Sequence, residues 1–438
     1  MKFDPTTVRP HFPALAGPAA AAHFDGPGGT QTPTPVASAI AEALVLPVAN
    51  RGVVTEAERN ADGIVASARA AMGDLLNADP AGIIFGRSMT QLTFSMAGTL
   101  AQTWRPGDEV IVTRLDHDAN IRPWVIAADR AGATVRWAEF DPATGELPVE
   151  AVTGLLTDRT RLVAVTAASN LIGTMPDVPA ITAAARSAGA LSYVDAVHYT
   201  AHESMDLPAL GADFLACSPY KFCGPHLGVL AARPALLEGL QPDKLLPSTD
   251  AVPERFELGT LPYELLAGTT AAVDFLAGML HHDDPAAASG SRRDFLRGTL
   301  DDEPEEVPEG ARRAVTDRRH RLERALHAMA EHELTLRTRI EHALADLGAT
   351  VFSRAARRTP TLLFELPGIP SPEVYAGLAA HGVNAPAGNF YALECSRTLG
   401  LGDAGAVRVG LAPYSDDSDV DRLITGLNAV AHAARVGG

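Results

Sequence analysis

The sequence predicts an α/β protein, with a seven-stranded, mostly parallel sheet in a large unit and a smaller α/β unit at the carboxyl end. The first observation behind this is a series of short β-rich segments, each bounded by turn residues. The second is that alanine-rich helical stretches separate most of them. Alternating strands and helices build a parallel sheet covered on both faces. The third is length: 438 residues suffice for two domains and a large buried core.

In chain order the predicted strands are IIFG from Ile83, EVIVT from Glu109, TVRWAEF from Thr134, RLVAVTAAS from Arg161, LSYVDAV from Leu191, DFLACS from Asp213 and GVLAA from Gly228. ANIRPWVIAADRAGA and VPAITAAARSAGA read as helices between them. The stretch from His281 to Arg313 is charged and broken by Pro and Gly, so it reads as an exposed insertion. A long helix is expected from Thr316. TLLFEL from Thr361 and AVRVGL from Ala406 follow as strands, and a last helix with Ser and Asp caps starts near Ser415. The expected division is an N-terminal segment, 1–50, packing on the small domain; a large domain, 51–315, with the insertion near 281–313; and a small C-terminal domain, 316–438.

Composition removes some classes. The net charge of −17 argues against a general nucleic-acid binder, which needs basic surface to neutralise phosphates. No apolar run approaches the length of a membrane span. The opening MKFDPTTVRPHFPAL lacks the apolar core of a signal peptide. Three cysteines, Cys217, Cys223 and Cys395, form no regular framework, so a reducing cytoplasm is expected.

Ligands of such sheets bind at the carboxyl ends of strands. That rim carries Ser88, His117, Asn170, Asp195 and Ser218, since each closes a predicted strand. The densest chemistry lies in CSPYKFCGPH, Cys217 to His226. A thiolate–histidine metal site there would lack a fourth ligand and the usual close cysteine pair. Cys217 reads as core, Cys223 as a small residue in a tight loop, and no metal is expected. Lys221 with Asp195 instead fits a pyridoxal phosphate (PLP) site. A lysine amine there forms a Schiff base with the cofactor aldehyde, and a buried carboxylate keeps the pyridine nitrogen protonated. Ser88, Met89 and Thr90 open a helix whose backbone N–H groups, with the Thr90 hydroxyl, suit a phosphate. Ser218 offers a further hydroxyl, and His117 is placed to stack on the ring.

At these residues the chain resembles the class V aminotransferases of PLP fold type I, in the branch of cysteine desulfurases and selenocysteine lyases. The resemblance runs from HFDGPGGTQTP to the last helix. It implies Asp195 in VDAVH as the pyridine partner, His117 in DHDANIRPW as the stacking ring, and Lys221 as the Schiff-base lysine, with Ser218 at the phosphate. It further implies Asn170 in SNLIGT near the ring oxygen and substrate, and Arg408 in AVRVGLAPYS on the substrate carboxylate. Thr260 in RFELGT would reach the phosphate of a partner subunit, in a homodimer with a shared active site.

Three departures bear on the reaction. His198 stands where the family usually has Gln, and it can still hydrogen-bond the ring oxygen. Tyr220 replaces the His before the lysine, and it can still donate to the phosphate. Desulfurases carry a persulfide-forming Cys on a loop before the Arg strand; here that loop reads NAPAGNFYALECS and the position falls on Tyr391. A phenol cannot hold a persulfide sulfur. GNFYAL resembles the uncharacterised "cysteine desulfurase-like" subgroup. The resemblance therefore implies a PLP enzyme acting on an amino-acid substrate, foremost a C–S lyase working by β-elimination from cysteine or an S-substituted cysteine, with Lys221 as base and Tyr391 placed to protonate the leaving sulfur. Alternatives are an aminotransferase or amino-acid epimerase of secondary metabolism, a true desulfurase using Cys395, and a non-catalytic binding module. The last would be expected to lack Lys221 or Arg408.

Overall fold

The computed structural model describes residues 2–17, 20–280 and 309–437. The strands are β1 Ala22–His23, β2 Ile83–Gly86, β3 Glu109–Thr113, β4 Thr134–Ala138, β5 Thr160–Thr166, β6 Leu191–Asp195, β7 Phe214–Cys217, β8 Gly228–Ala232, β9 Thr350–Val351, β10 Thr361–Glu365, β11 Val383–Asn384, β12 Ala387–Gly388 and β13 Ala406–Gly410. The predicted insertion lies outside the described residues from 281 to 308. Its last predicted residues belong instead to a helix, Glu309–Asp346, which starts before the expected Thr316.

Seven strands form one sheet in the order β2-β8-β7-β6-β5-β3-β4. The pairs among β3, β4, β5, β6 and β7 are parallel, while β8 runs antiparallel to both β7 and β2. The sequence explains why both faces are covered. Successive strand residues point to opposite faces. Val163, Val165, Val194, Leu215 and Val229 enter one buried cluster, and Leu162, Ala164, Tyr193, Phe214 and Leu230 enter another. Each Val, Leu or Phe so buried contributes roughly 1.5–3 kcal/mol of hydrophobic stabilisation. A strand with two buried faces reads as a continuous apolar run, as RLVAVT does.

The connections reverse direction between β3 and β5. The helix after β3, Arg122–Ala131, joins the second cluster through Trp124, Ala127 and Ala128. The helix after β5, Val178–Ser187, joins the first through Val178, Ile181 and Ala185. Adjacent strands whose crossovers leave on opposite faces open a crevice at their carboxyl ends, the usual ligand position in open α/β sheets.

A second sheet, ordered β12-β13-β10-β9, is antiparallel throughout. It packs on a separate core of Leu362, Phe364, Val407, Val409, Leu423 and Leu427. Helix Glu309–Asp346 joins the two units: Leu322, Leu326 and Met329 sit in the large core, and Leu336, Ile340 and Leu344 in the small one. The N-terminal segment reaches the same unit, where β1 pairs in parallel with β11, while helix Thr34–Val45 lies against helix Tyr263–Gly278.

Candidate active site

Strand register sets the rim. Thr166 pairs with Asp195, and Asp195 with Ala216, so β5, β6 and β7 end level. β6 ends at Asp195, earlier than the LSYVDAV reading, because the Asp195 carboxylate takes the Val197 N–H at 2.9 Å and turns the chain. Lys221 closes a short turn, Pro219–Lys221, directly after β7. Ser88 caps helix Met89–Ala101 by accepting the Gln91 N–H at 3.1 Å. That leaves the first-turn N–H groups of Met89 and Thr90, and the exposed Thr90 side chain, for an anion. Gly228 permits this packing: a Cβ there would lie 2.2 Å from the Ser88 carbonyl carbon.

The N-terminal stretch FDGPGG crosses the site. Gly26 and Gly410 allow it to lie against β13, since a Cβ on Gly410 would stand 2.2 Å from Pro27 and one on Gly26 2.5 Å from the Leu411 oxygen. This close approach delivers the Pro27 carbonyl, which accepts a hydrogen bond from Lys221 Nζ. It also delivers Asp25, 3.0 Å from Arg408 Nη2.

Burial sets the protonation states. Lys221 is 8% exposed. Burial, then Arg408, lowers its ammonium to about 7, against the pull of Asp25 and Asp195. Asp195 is pushed up to about 6 by burial, with the Val197 N–H and Lys221 holding it down. His117 falls to about 4 through burial beside Lys221 and Arg408, so the ring is neutral at pH 7. Its Nδ1 accepts the Ala119 N–H at 3.0 Å, which puts the ring proton on Nε2. Beneath it, fully buried Asp116 is raised to about 8 by desolvation while bonding Thr113 and Asn120.

Three predicted site residues keep a buried polar atom without a partner: Asn170 Oδ1, His198 Nδ1 and Arg408 Nε. Unpaired buried polar atoms are costly, so a ligand that partnered these three would be held here. Asn170 Nδ2 is spent on the Phe390 carbonyl at 2.9 Å. His198 Nε2 lies 2.9 Å from the hydroxyls of both Thr359 and Thr361. Thr359 also donates toward the Gly173 carbonyl. The other ring nitrogen, Nδ1, is left for a ligand. Arg408 gives Nη1 to the Asn170 carbonyl at 3.1 Å and shares Nη2 with Asp25, while its Nε has no partner. An amine of lowered basicity, a buried carboxylate, a neutral imidazole and helix N–H groups together fit PLP. Asp25, Phe390, Thr359 and Thr361 were not anticipated. Asp25 and Phe390 had a sequence signal, since they stand inside the resembling HFDGPGG and GNFYAL.

Other predicted residues sort by distance from this group. Ser218 is buried at the base of the lysine turn. Tyr220 is half-buried, with Lys221 Nζ 4.9 Å from its ring centroid. His226 stacks on the other residue of that turn, Tyr220, at 4.8 Å, while His198 and His202 meet edge to face at 4.9 Å. Among the described residues no group of His, Cys, Asp or Glu is arranged to hold a metal. Thr260 stands apart, exposed after Gly259, whose φ is +82°.

The turn that carries Tyr391 is unusual. Phe390 and Tyr391 have φ of +50° and +60°. Aromatic residues rarely adopt this region, at roughly 1–3 kcal/mol each. Several contacts hold it: the Asp118 N–H on the Tyr391 carbonyl at 2.7 Å, Asn170 on Phe390, and buried Glu394 between Arg114 and Arg122. Phe390 lies over the Arg408 guanidinium at 3.6 Å, and Tyr391 stacks on His117 at 5.7 Å. Cys395, four residues on, is fully buried, and burial raises its thiol far above the usual range. Cys217 and Cys223 are buried likewise.

The model of the class-V aminotransferases matches residues 22–308. An aminotransferase-like protein, FGM3, of Gibberella zeae is 31% identical over 98% of this chain and 98% of its own length. A probable cysteine desulfurase of Pseudomonas aeruginosa is 30% identical over 97% of this chain and 98% of its own. Among solved structures, the cysteine desulfurase CsdA of Escherichia coli superposes with a TM-score of 0.79 at 26% identity, covering 98% of this chain and 99% of that one. The sheet order, the match and these relatives agree: the chain belongs to the class-V aminotransferase family, a family of PLP-dependent enzymes.

Proposed function

We propose that this enzyme is a cysteine desulfurase-like C–S lyase that eliminates the sulfur substituent from Cβ of cysteine or an S-substituted cysteine. The observation that carries this reading is the Tyr391 turn. Tyr391 occupies the place where the resemblance puts a persulfide cysteine, the turn is fixed to the large unit, and Cys395 is buried with a neutral thiol. β-Elimination needs no sulfur acceptor on the protein.

PLP, when bound, supplies an electron sink for the carbanion at the substrate Cα. Lys221 Nζ would hold it, and the neutral amine would serve as base for the Cα proton. The Asp195 carboxylate would favour a protonated pyridine nitrogen. The neutral His117 imidazole would lie against the ring. The first-turn N–H groups of Met89 and Thr90, with Ser218 and Tyr220, take the phosphate. His198 Nδ1 would donate to the phenolic oxygen, and Asn170 Oδ1 would be left to accept from the substrate amine. Arg408 binds the α-carboxylate. The Cβ–S bond breaks with its electron pair on sulfur, and the exposed Tyr391 hydroxyl returns a proton there. The thiol leaves with aminoacrylate, whose imine tautomer is hydrolysed by water to pyruvate and ammonia. Thr260 would serve the site of a second copy in a homodimer, as the resemblance implies. No described helix is long and apolar enough to cross a membrane.

Cys395→Ser tests the route. Pyruvate release is expected to stay within about twofold of the unaltered enzyme, since the thiol contributes only packing. A collapse of turnover in a folded variant would favour a persulfide pathway instead.

The lowered Lys221 basicity predicts a pH dependence. Only the neutral amine attacks an aldehyde. PLP capture by the apoprotein is expected to rise about tenfold per pH unit below about pH 7 and to level off above it. Growth of cofactor absorbance in a stopped-flow series gives the profile. A rate still climbing steeply above about pH 9, as for an ordinary lysine, would contradict the shift.

A further inference from the structure

Two consecutive aromatic residues edge the site from the same turn. Phe390 covers the guanidinium of Arg408 at 3.6 Å. Tyr391 lies 5.7 Å from the ring of His117 at an interplanar angle of 29°. Arg408 marks one end of the substrate, its carboxylate, and His117 marks the cofactor plane. With the substrate carboxylate on Arg408 and the cofactor against His117, as proposed above, a substituent leaving Cα between them would run along the Phe390–Tyr391 edge.

The turn holds this edge at a cost in backbone conformation, since both residues have positive φ. Asn389 braces it, accepting the Tyr391 N–H at 3.0 Å and donating to the Asp403 carbonyl at 2.8 Å. Tyr391 is nevertheless 75% exposed, a large aromatic surface presented at a catalytic site and packed on one side only. Free cysteine ends at its sulfur and has nothing to lay against that surface. A cysteine whose sulfur bears an apolar, flat group does.

We propose that the Phe390–Tyr391 turn selects the substrate, and that the site takes cysteine S-conjugates carrying an aromatic or other apolar group on sulfur in preference to small cysteines. This rests on the lyase reading for its chemistry, but the selection itself is a matter of binding.

The test is a titration of the PLP-loaded enzyme with S-benzyl-L-cysteine and S-methyl-L-cysteine, followed by cofactor absorption and by protein fluorescence, with pyruvate measured in parallel. The benzyl compound is expected to bind about fivefold to tenfold more tightly, the range of one aromatic contact. Tyr391→Phe keeps the ring and should keep the preference. Tyr391→Ala should lose it. Tyr391→Asn provides a second variant, because Asn tolerates positive φ and preserves the turn without the ring. Equal binding of the two compounds by the unaltered enzyme, or a preference undiminished in both the Ala and Asn variants, would overturn the proposal. Preferential binding with no pyruvate from either compound would refute the lyase reading and still support the selector.

Discussion

Lys221→Ala is expected to abolish the visible absorption that marks covalently held PLP and to lower turnover by about four orders of magnitude, the upper range for losing a positioned general base. Two functions disappear together: attachment of the aldehyde and removal of the Cα proton. The phosphate and ring contacts remain, so PLP should still bind, with the spectrum of the free aldehyde. The substitution also removes a buried amine whose charged form burial disfavours, and the hydrogen bond to the Pro27 carbonyl. The variant is therefore expected to fold, which a thermal melt checks. An unchanged spectrum would sink the assignment of the cofactor to this lysine.

Asp195→Asn should cost about a hundredfold to a few thousandfold in turnover while leaving PLP bound. The amide can still accept the Val197 N–H, so the turn after β6 survives. What is lost is the negative charge that keeps the pyridine nitrogen protonated. Removing one partner of a buried ion pair costs about 3–5 kcal/mol, and each 1.4 kcal/mol is about tenfold in rate. Without the cofactor, burial raises this carboxylate to about 6. A pyridinium against it would restore the charged form. Near-unaltered turnover in the Asn variant would show that the ring nitrogen does not face Asp195.

The large sheet was legible in the sequence because its strands are buried on both faces. Runs such as EVIVT and RLVAVT carry that directly, and only their ends differed, where Asp195 and the rim turns cut the pairing short. The strands β1, β9, β11 and β12 were not legible, since two residues hold no periodicity. The rim residues were legible as strand ends followed by polar or titratable side chains. Their partners were not. Asp25 meets Arg408 across 383 positions, and Thr361 meets His198 across 163, distances that only the folded glycine-lined crossing and the small sheet close. The positive φ at Phe390 and Tyr391 also lay beyond reading, because Asn389 beside them is the residue that would signal it. Cys395 shows the same limit in reverse. Its spacing from Tyr391 allowed a reactive thiol, and burial against Ser169 makes it core.

The most direct measurement is product analysis of the PLP-loaded enzyme given L-cysteine and a series of S-substituted cysteines. The account predicts pyruvate and ammonia in equal amounts with the released thiol or sulfide, and no sulfur retained on the protein. Alanine together with protein-bound sulfur would contradict it, and would place the reaction on a cysteine that this structure shows buried.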